Sequence, residues 1–273
     1  MDKRQRVCVT IPVYQDKISA YEQIAMDQCF KVLGDYDIIF IVPVRLQFFI
    51  AQHPYCVSGK AKYITFDNDF FADIPGYNKL MKSAVFYKSL LSYEFFLIYQ
   101  LDAFVFRDEL MEWCDRGYDN IGAPLFDGHD HAKPSSAIVG QGNGGFCLRN
   151  VNACYTVVTS LRRLNYKKVY TDNNAPGLRK IYRYIKHNLV YNYSLYPFQP
   201  IINEDLFWTE VVPAAFPVFN VPEPLNSIPF SFEVNPDVLF ELNGMMLPFG
   251  CHAWWRYNFD FWKPHIQAFG YEL

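Results

Sequence analysis

Asp102 closes the apolar run Phe95-Phe96-Leu97-Ile98-Tyr99-Gln100-Leu101, and a carboxylate in that place has few inert uses. Bounded by Glu94 and Asp102, the run reads as a strand buried on both faces, the kind found inside a parallel sheet. Ligands of open α/β sheets bind in the crevice outside the carboxyl ends of the strands, so Asp102 is set where a metal, phosphate or sugar would meet it. Its plainer role is to cap the segment that follows. Gly142-Asn143-Gly144-Gly145-Phe146 could bring backbone amides close to an anion, or could be a hairpin or bulge that needs positive φ. It lacks the Lys-Ser or Lys-Thr ending of a P-loop and precedes a strand rather than opening a helix, which argues against an NTPase. Asn203-Glu204-Asp205 reads as a helix start, with Asn203 as the cap and two acids at the positive end of the dipole. Carboxylates there are rigidly held and can face a crevice.

Weaker candidates surround these. Tyr14 follows the first strand and is either a stacking face or a structural tyrosine. Lys79 and Lys82 lie on the helix before the Asp102 strand, where they reach phosphate or are simply solvated. His252, among Trp254, Trp255 and Tyr257, reads by itself as a packed histidine. His129 and His131 form a His-x-His pair in the polar Asp127-Gly128-His129-Asp130-His131 loop, for which a flexible polar loop is the better reading than a metal site.

The elements that must position these residues alternate strand and helix through the first half. Val7 to Val13 is predicted as a strand, and Ile18, Tyr21, Ile24, Ala25, Cys29 and Val32 recur at helical spacing up to Gly34. Further strands are expected over Asp37–Pro43 and Ala61–Phe66, then a turn at Gly76-Tyr77-Asn78 and a helix from Lys79 to Leu91 leading into the Phe95 strand. This βαβαβ order implies parallel pairing with right-handed crossovers. A helix from Asp108 to Cys114 stopping at Gly117, a strand at Gly145 to Leu148 and a helix from Asn150 to Leu164 follow. Asn165 to Pro200 has weak periodicity and is expected to be an insertion or lid.

Composition sets the outer limits. The chain of 273 residues is 51% hydrophobic, with 25 Phe, 20 Tyr and 5 Trp, enough for a large core and one domain. A formal charge of −3 without a basic run argues against nucleic acid as the main partner. No uninterrupted apolar segment approaches the ~20 residues of a membrane helix. The N-terminus runs into a short strand rather than a signal-peptide core, which makes a cytoplasmic location the expectation. Seven cysteines with no CxxC pair indicate neither a disulfide framework nor a zinc knuckle.

Taken together, Thr10-Ile11-Pro12-Val13-Tyr14, Gln100-Leu101-Asp102-Ala103-Phe104, Gly142 to Phe146, Asn203 to Trp208 and Cys251-His252-Ala253-Trp254 resemble the layout of GT-A-fold glycosyltransferases. More narrowly, the chain is similar to a bacterial family of uncharacterised glycosyltransferase-like proteins in which the segments Tyr99 to Phe106, Gly142 to Leu148, Asn203 to Trp208 and Gly250 to Trp255 recur together. The resemblance implies a GT-A-like, Rossmann-like α/β fold with a mixed, mainly parallel central sheet flanked by helices. Residues 1–122 would form the nucleotide-binding half and 123–273 the acceptor-binding half, with the lid at about 165–200.

The activity implied is transfer of a sugar from a nucleotide-sugar donor to an acceptor hydroxyl, inverting, in bacterial surface-glycan synthesis. The acceptor would be a glycan or a lipid-linked molecule, with peripheral membrane association at the inner face left open. By the same resemblance Asp102 and His252 would hold a divalent cation, Mn²⁺ or Mg²⁺. Pro12, Val13, Tyr14, Lys79, Lys82, Gln100, Asn143, Gly144 and Gly145 would surround the donor. Asp205 would be the catalytic base, with Glu204 on the acceptor hydroxyl or in exchanged roles. Phe104 stands where such enzymes commonly carry a second Asp, which leaves few protein ligands for a hard metal. That departure gives weight to a non-catalytic nucleotide- or carbohydrate-binding protein. A paired-carboxylate glycoside hydrolase is a third class, which the βαβ opening fits less well.

Overall fold

The computed structural model of the chain describes residues 6–164, 176–186, 192–194 and 203–273. Its centre is a six-stranded sheet in the order β3-β2-β1-β4-β9-β6, formed by β1 (Val7–Pro12), β2 (Asp37–Pro43), β3 (Ala61–Phe66), β4 (Phe95–Tyr99), β6 (Asn120–Ile121) and β9 (Phe146–Asn150). β1 pairs in parallel with β2 and β4, and β2 with β3. β9 runs antiparallel to both β4 and β6. The fold is thus α/β with a mixed, mainly parallel central sheet and helices against it.

The strands read as continuous apolar runs because both faces are covered. Val7, Val9 and Ile11 of β1, with Leu97 and Tyr99 of β4, join one core with Ala25 and Cys29 of helix α1 (Ala20–Leu33). Cys8, Phe96 and Ile98 join the other, which includes Leu80 of α2 (Ile74–Leu80), Phe86 of α3 (Ala84–Ser89) and Val157 of α5 (Val151–Thr159). α1 begins in a capping box in which Ser19 and Glu22 satisfy each other's backbone amides, so two otherwise orphaned donors are paired.

The expected helix from Lys79 to Leu91 is two helices. Its turn residues Gly76, Tyr77 and Asn78 are already helical in α2, and the chain breaks at Met81–Ser83, where the Ser83 hydroxyl accepts from Phe86 N–H and starts α3. A side-chain cap competes with continuation of the ladder at such a serine. Helix α4 (Leu110–Asp115) and α5 are shorter than expected. The expected lid lies mostly outside the described residues; within its span is helix α6 (Gly177–Ile185).

A second sheet, in the order β10-β11-β5, carries the site's other edge. β5 (Phe104–Val105) lies antiparallel to β11 (Gly250–Cys251), which is parallel to β10 (Ser231–Phe232). Behind it Phe104, Phe106, Phe232, Trp254 and Trp262 form a third, largely aromatic core with α9 (Phe259–Gln267). A hairpin of β7 (Pro124–Phe126) and β8 (Ile138–Gln141) and the helix α8 (Pro236–Leu242) complete this half. Between α6 and β10, the helical segment α7 starts at Glu204–Leu206, widens into a π turn over Phe207–Val211 and closes at Val212–Ala215.

Candidate functional site

From β1 the chain proceeds to β2 and β3 on one side of the sheet and then returns to place β4 on the other side of β1. The order therefore reverses between β1 and β4, and an open sheet binds ligands at such a switch point. A solvent-open cleft lies there. Pro12, Val13 and Tyr14 line it from the end of β1, Gln100, Leu101 and Asp102 from the end of β4, Lys17, Ile18 and Glu22 from the start of α1, and Trp255 from beyond β11. The ring of Tyr14 is half exposed, and Arg45 donates to its carbonyl at 2.7 Å, fixing the backbone that presents it.

Asp102 sits in the turn between β4 and β5, where Ala103 N–H donates to Gln100 C=O at 2.9 Å. Its Oδ1 is 3.0 Å from Nε2 of His252, which follows β11. The other ring nitrogen, Nδ1, is 2.7 Å from Oε1 of Glu233, the residue after β10. Burial disfavours the charged imidazole, but the two carboxylates outweigh it and push His252 up to about 10. Burial likewise acts to raise Asp102, and the charge and hydrogen bond of His252 prevail and hold it below the usual carboxylate range. His252 is thus not merely a histidine packed among tryptophans.

The same donors fit a divalent cation. Two oxygen or nitrogen ligands of one octahedral ion with bonds of about 2.1 Å lie about 3 Å apart, the Asp102–His252 separation. A ligating histidine commonly gives its second N–H to a carboxylate, the place Glu233 takes. No group of three or more His, Cys, Asp or Glu able to hold a metal occurs among the described residues. Phe104 packs with Phe106, Phe269 and Tyr271. An ion held by Asp102 and His252 would therefore take its remaining ligands from substrate phosphate and water.

The glycine-rich turn makes room for these side chains. Gly142 has φ +134°, the left-handed region expected of a turn glycine. Asn143 is buried, and its Oδ1 accepts from Gly145 N–H at 2.6 Å and Phe146 N–H at 3.0 Å. A Cβ on Gly144 would stand 2.3 Å from Glu204 Oε1, and one on Gly145 only 1.9 Å from His252 Nε2. These glycines thus contact the two site side chains directly.

Glu204 and Asp205 open α7 as expected, with Asn203 at the N-cap position but not capping through its side chain. Asn78 reaches over from α2, and its Oδ1 accepts from Glu204 N–H at 2.8 Å. Glu204 is buried, with Oε2 2.6 Å from Arg149 Nη2 on β9, and Arg149 Nε donates to Asn120 at 2.9 Å. Asp205 is less enclosed. Burial first, and the neighbouring Glu204 charge second, push it up to about 6, with Glu233 adding to the effect. Lys82, expected either to reach phosphate or to be solvated on a helix face, lies past the end of α2 and is 4% exposed. Burial lowers it to about 8 against the pull of Glu204 and Asp205. Lys79 is exposed, its ammonium 5.6 Å from the Phe70 ring centre, and neither lysine lines the cleft.

Residues 60–252 match the family described as Protein of unknown function (DUF5672). The chain belongs to that family. None of the curated proteins matches it. Among solved structures it is similar to the apo form of the glycosyltransferase GlyE of Streptococcus pneumoniae, at 12% identity and a TM-score of 0.44, covering 91% of this chain and 54% of that one. It is also similar to apo mouse xyloside xylosyltransferase 1, at 12% identity and a TM-score of 0.46, covering 89% and 96%. A third is the mannosyltransferase PcManGT of Pyrobaculum calidifontis in complex with GDP-Man and Mn²⁺, at 13% identity and 0.31, covering 53% and 44%. The chain thus spans about half the length of GlyE and less of PcManGT.

In this DUF5672 member Asp102, the glycine-rich turn, Glu204, Asp205 and His252 all fall within the matched segment, whereas Pro12 to Tyr14, Lys17, Glu22 and Trp255 lie outside it. Glu233 and Arg149 escaped the sequence reading. Arg149 had a usable signal, a lone arginine in Phe146-Cys147-Leu148-Arg149-Asn150, since a charge inside a buried strand needs a partner. Glu233, in Ser231-Phe232-Glu233-Val234, had none.

Proposed function

We propose that this DUF5672 chain is a glycosyltransferase that moves a sugar from a nucleotide-sugar donor to an acceptor hydroxyl, with inversion. One observation carries the reading. The Asp102–His252–Glu233 chain stands at the edge of a cleft at the sheet's switch point, and Asp205, a carboxyl tuned to about 6, lies within electrostatic range of Glu233. In this reading the cleft between Tyr14, Lys17, Glu22 and Trp255 takes the nucleotide, and Asp102 receives the diphosphate end. A divalent cation at Asp102 and His252 would neutralise charge on the departing diphosphate as a Lewis acid.

Asp205 accepts the proton of the acceptor hydroxyl as that oxygen bonds to the anomeric carbon; the bond from that carbon to the donor phosphate oxygen breaks, and its electron pair leaves with the diphosphate. A carboxyl near 6 is ionised at neutral pH yet more basic than an ordinary one, which suits a general base. Glu204, shut in by Arg149, holds the first turn of α7 rather than the acceptor. An acceptor carried on a glycan or a lipid, in assembly of a bacterial surface polymer, is the setting this chemistry fits.

Phe104 in place of a second acid keeps a second reading in view, a nucleotide-sugar-binding protein without turnover. The test is melting temperature against a panel of nucleotide diphosphates and their sugars, with and without Mn²⁺, for the parent and Asp102→Asn. A ligand at about a hundred times its Kd stabilises by about 2.7 kcal/mol, an easily read shift. The parent should show a shift larger with Mn²⁺, and Asp102→Asn should lose the Mn²⁺-dependent part. Equal responses by both proteins would remove Asp102 from the donor site; binding without transfer over a broad acceptor panel would favour the non-catalytic reading.

A further inference from the structure

Among the described residues, helix α6 leaves most of its apolar stripe exposed. Leu178, Ile181, Tyr182 and Ile185 follow the i, i+3, i+4, i+7 spacing of a single helix face, yet they are 86%, 57%, 62% and 45% exposed, and no residue of the helix is buried. A stripe of this kind ordinarily packs on a core, because large aliphatic side chains gain stability on leaving water. The rest of the helix says what covers it. Arg179, Lys180 and Arg183, with Lys186 directly after the helix, lie off that stripe, and no acid occurs from Pro176 to Lys186. The whole chain carries −3, so this concentration of positive charge is local.

We propose that α6 docks the protein on an anionic lipid surface. Leu178, Ile181 and Ile185 enter the boundary between headgroups and acyl chains, Tyr182 lies at the interface, and Arg179 and Lys180 face lipid phosphates. Apolar and basic faces on one exposed helix are the features of an element that lies in the membrane plane, and each basic residue near an anionic leaflet adds about fivefold to binding. The helix lies on the bilayer rather than through it: no helix of the described residues is long and apolar enough to cross one. The inference is independent of the transfer reading, since lipid binding is measured without donor or acceptor.

The test is co-sedimentation of the full chain with phosphatidylcholine vesicles, with and without phosphatidylglycerol, at low and high salt. The parent should bind the anionic vesicles, bind the neutral ones much less, and weaken as salt screens the charges. Replacing both Arg179 and Lys180 by Gln should lower anionic-vesicle binding roughly thirtyfold, and Leu178→Ser with Ile181→Ser at least about tenfold. All four positions are exposed, so melting temperature should be unchanged in both variants, which separates lost docking from lost folding. No preference of the parent for anionic vesicles, or full binding by either variant, overturns the proposal. Concentration-dependent self-association that Leu178→Ser/Ile181→Ser abolishes, with no vesicle binding, would assign the face to a second copy of the chain instead.

Discussion

Arg149 Nη2 lies 2.6 Å from Glu204 Oε2, with the two side chains 1% and 4% exposed, and this pair ties the start of α7 to β9 in the central sheet. Such a pair adds little net stability over an apolar equivalent, because both charges lose their water, but breaking it leaves one charge buried and alone. Its structural effect is to hold Asp205, the next residue, at a fixed height above the sheet.

Arg149→Met should therefore destabilise the fold by about 3–5 kcal/mol, and the double change Arg149→Met with Glu204→Leu should recover much of that loss. Urea unfolding of the two single variants and the double variant gives the coupling directly. Additive losses would mean that the two residues do not act as a pair.

The glycine-rich turn makes a second expectation. Gly145 has no positive φ, so alanine is compatible with its backbone, but the added Cβ would stand 1.9 Å from His252 Nε2. His252 would have to leave Asp102. Gly145→Ala should abolish the Mn²⁺-dependent part of the nucleotide-sugar response while the chain still folds. Gly140→Ala serves as the control, because there a Cβ would meet only Leu125 at 3.8 Å, ordinary contact. An unaltered Mn²⁺ response in Gly145→Ala would show that His252 is not where the ion binds.

What the sequence disclosed follows from how local each cause is. β2 and β3 have the predicted bounds, Asp37–Pro43 and Ala61–Phe66, since a buried strand between turn residues is written in a few consecutive positions. The parallel pairing of β1 with β2 and β4 follows from the same run of strands and helices, whereas the mixed character of the sheet was implied by the GT-A resemblance. The break in the Lys79 to Leu91 helix was missed because Ser83 reads as a tolerated mid-helix serine until its hydroxyl is seen capping Phe86. Lys82 carries no local mark of burial; its environment is set by Glu204 and Asp205, more than a hundred positions away in the chain. Asn78, rather than Asn203, supplies the capping oxygen for the same reason. Glu233 reaches His252 only through the pairing of β10 with β11, a register that no short stretch of sequence records.

Asp205 offers the sharpest test, because a base and a cap predict opposite changes in stability. Its carboxyl is raised from 3.8 to about 6 in the fold, so ionising it costs the native state more than the unfolded chain. That cost is absent below about pH 4, grows between the two values and is complete above about 6. Two units correspond to about 2–3 kcal/mol. Asp205→Asn keeps an oxygen for the Leu206 N–H, which Asp205 Oδ1 accepts at 2.7 Å, and removes the charge. The variant should therefore melt above the parent at pH 8 and level with it near pH 4. Transfer should move the other way: donor affinity by calorimetry is retained, while turnover falls by roughly a hundred- to ten-thousandfold. In the parent, kcat/KM should rise with pH through an inflection near 6 as the base ionises, and the residual rate of the variant should lack that inflection. A variant that is less stable at pH 8 with transfer intact would make Asp205 a helix-start residue only. Loss of transfer in Glu204→Gln with Asp205→Asn active would move the base by one position.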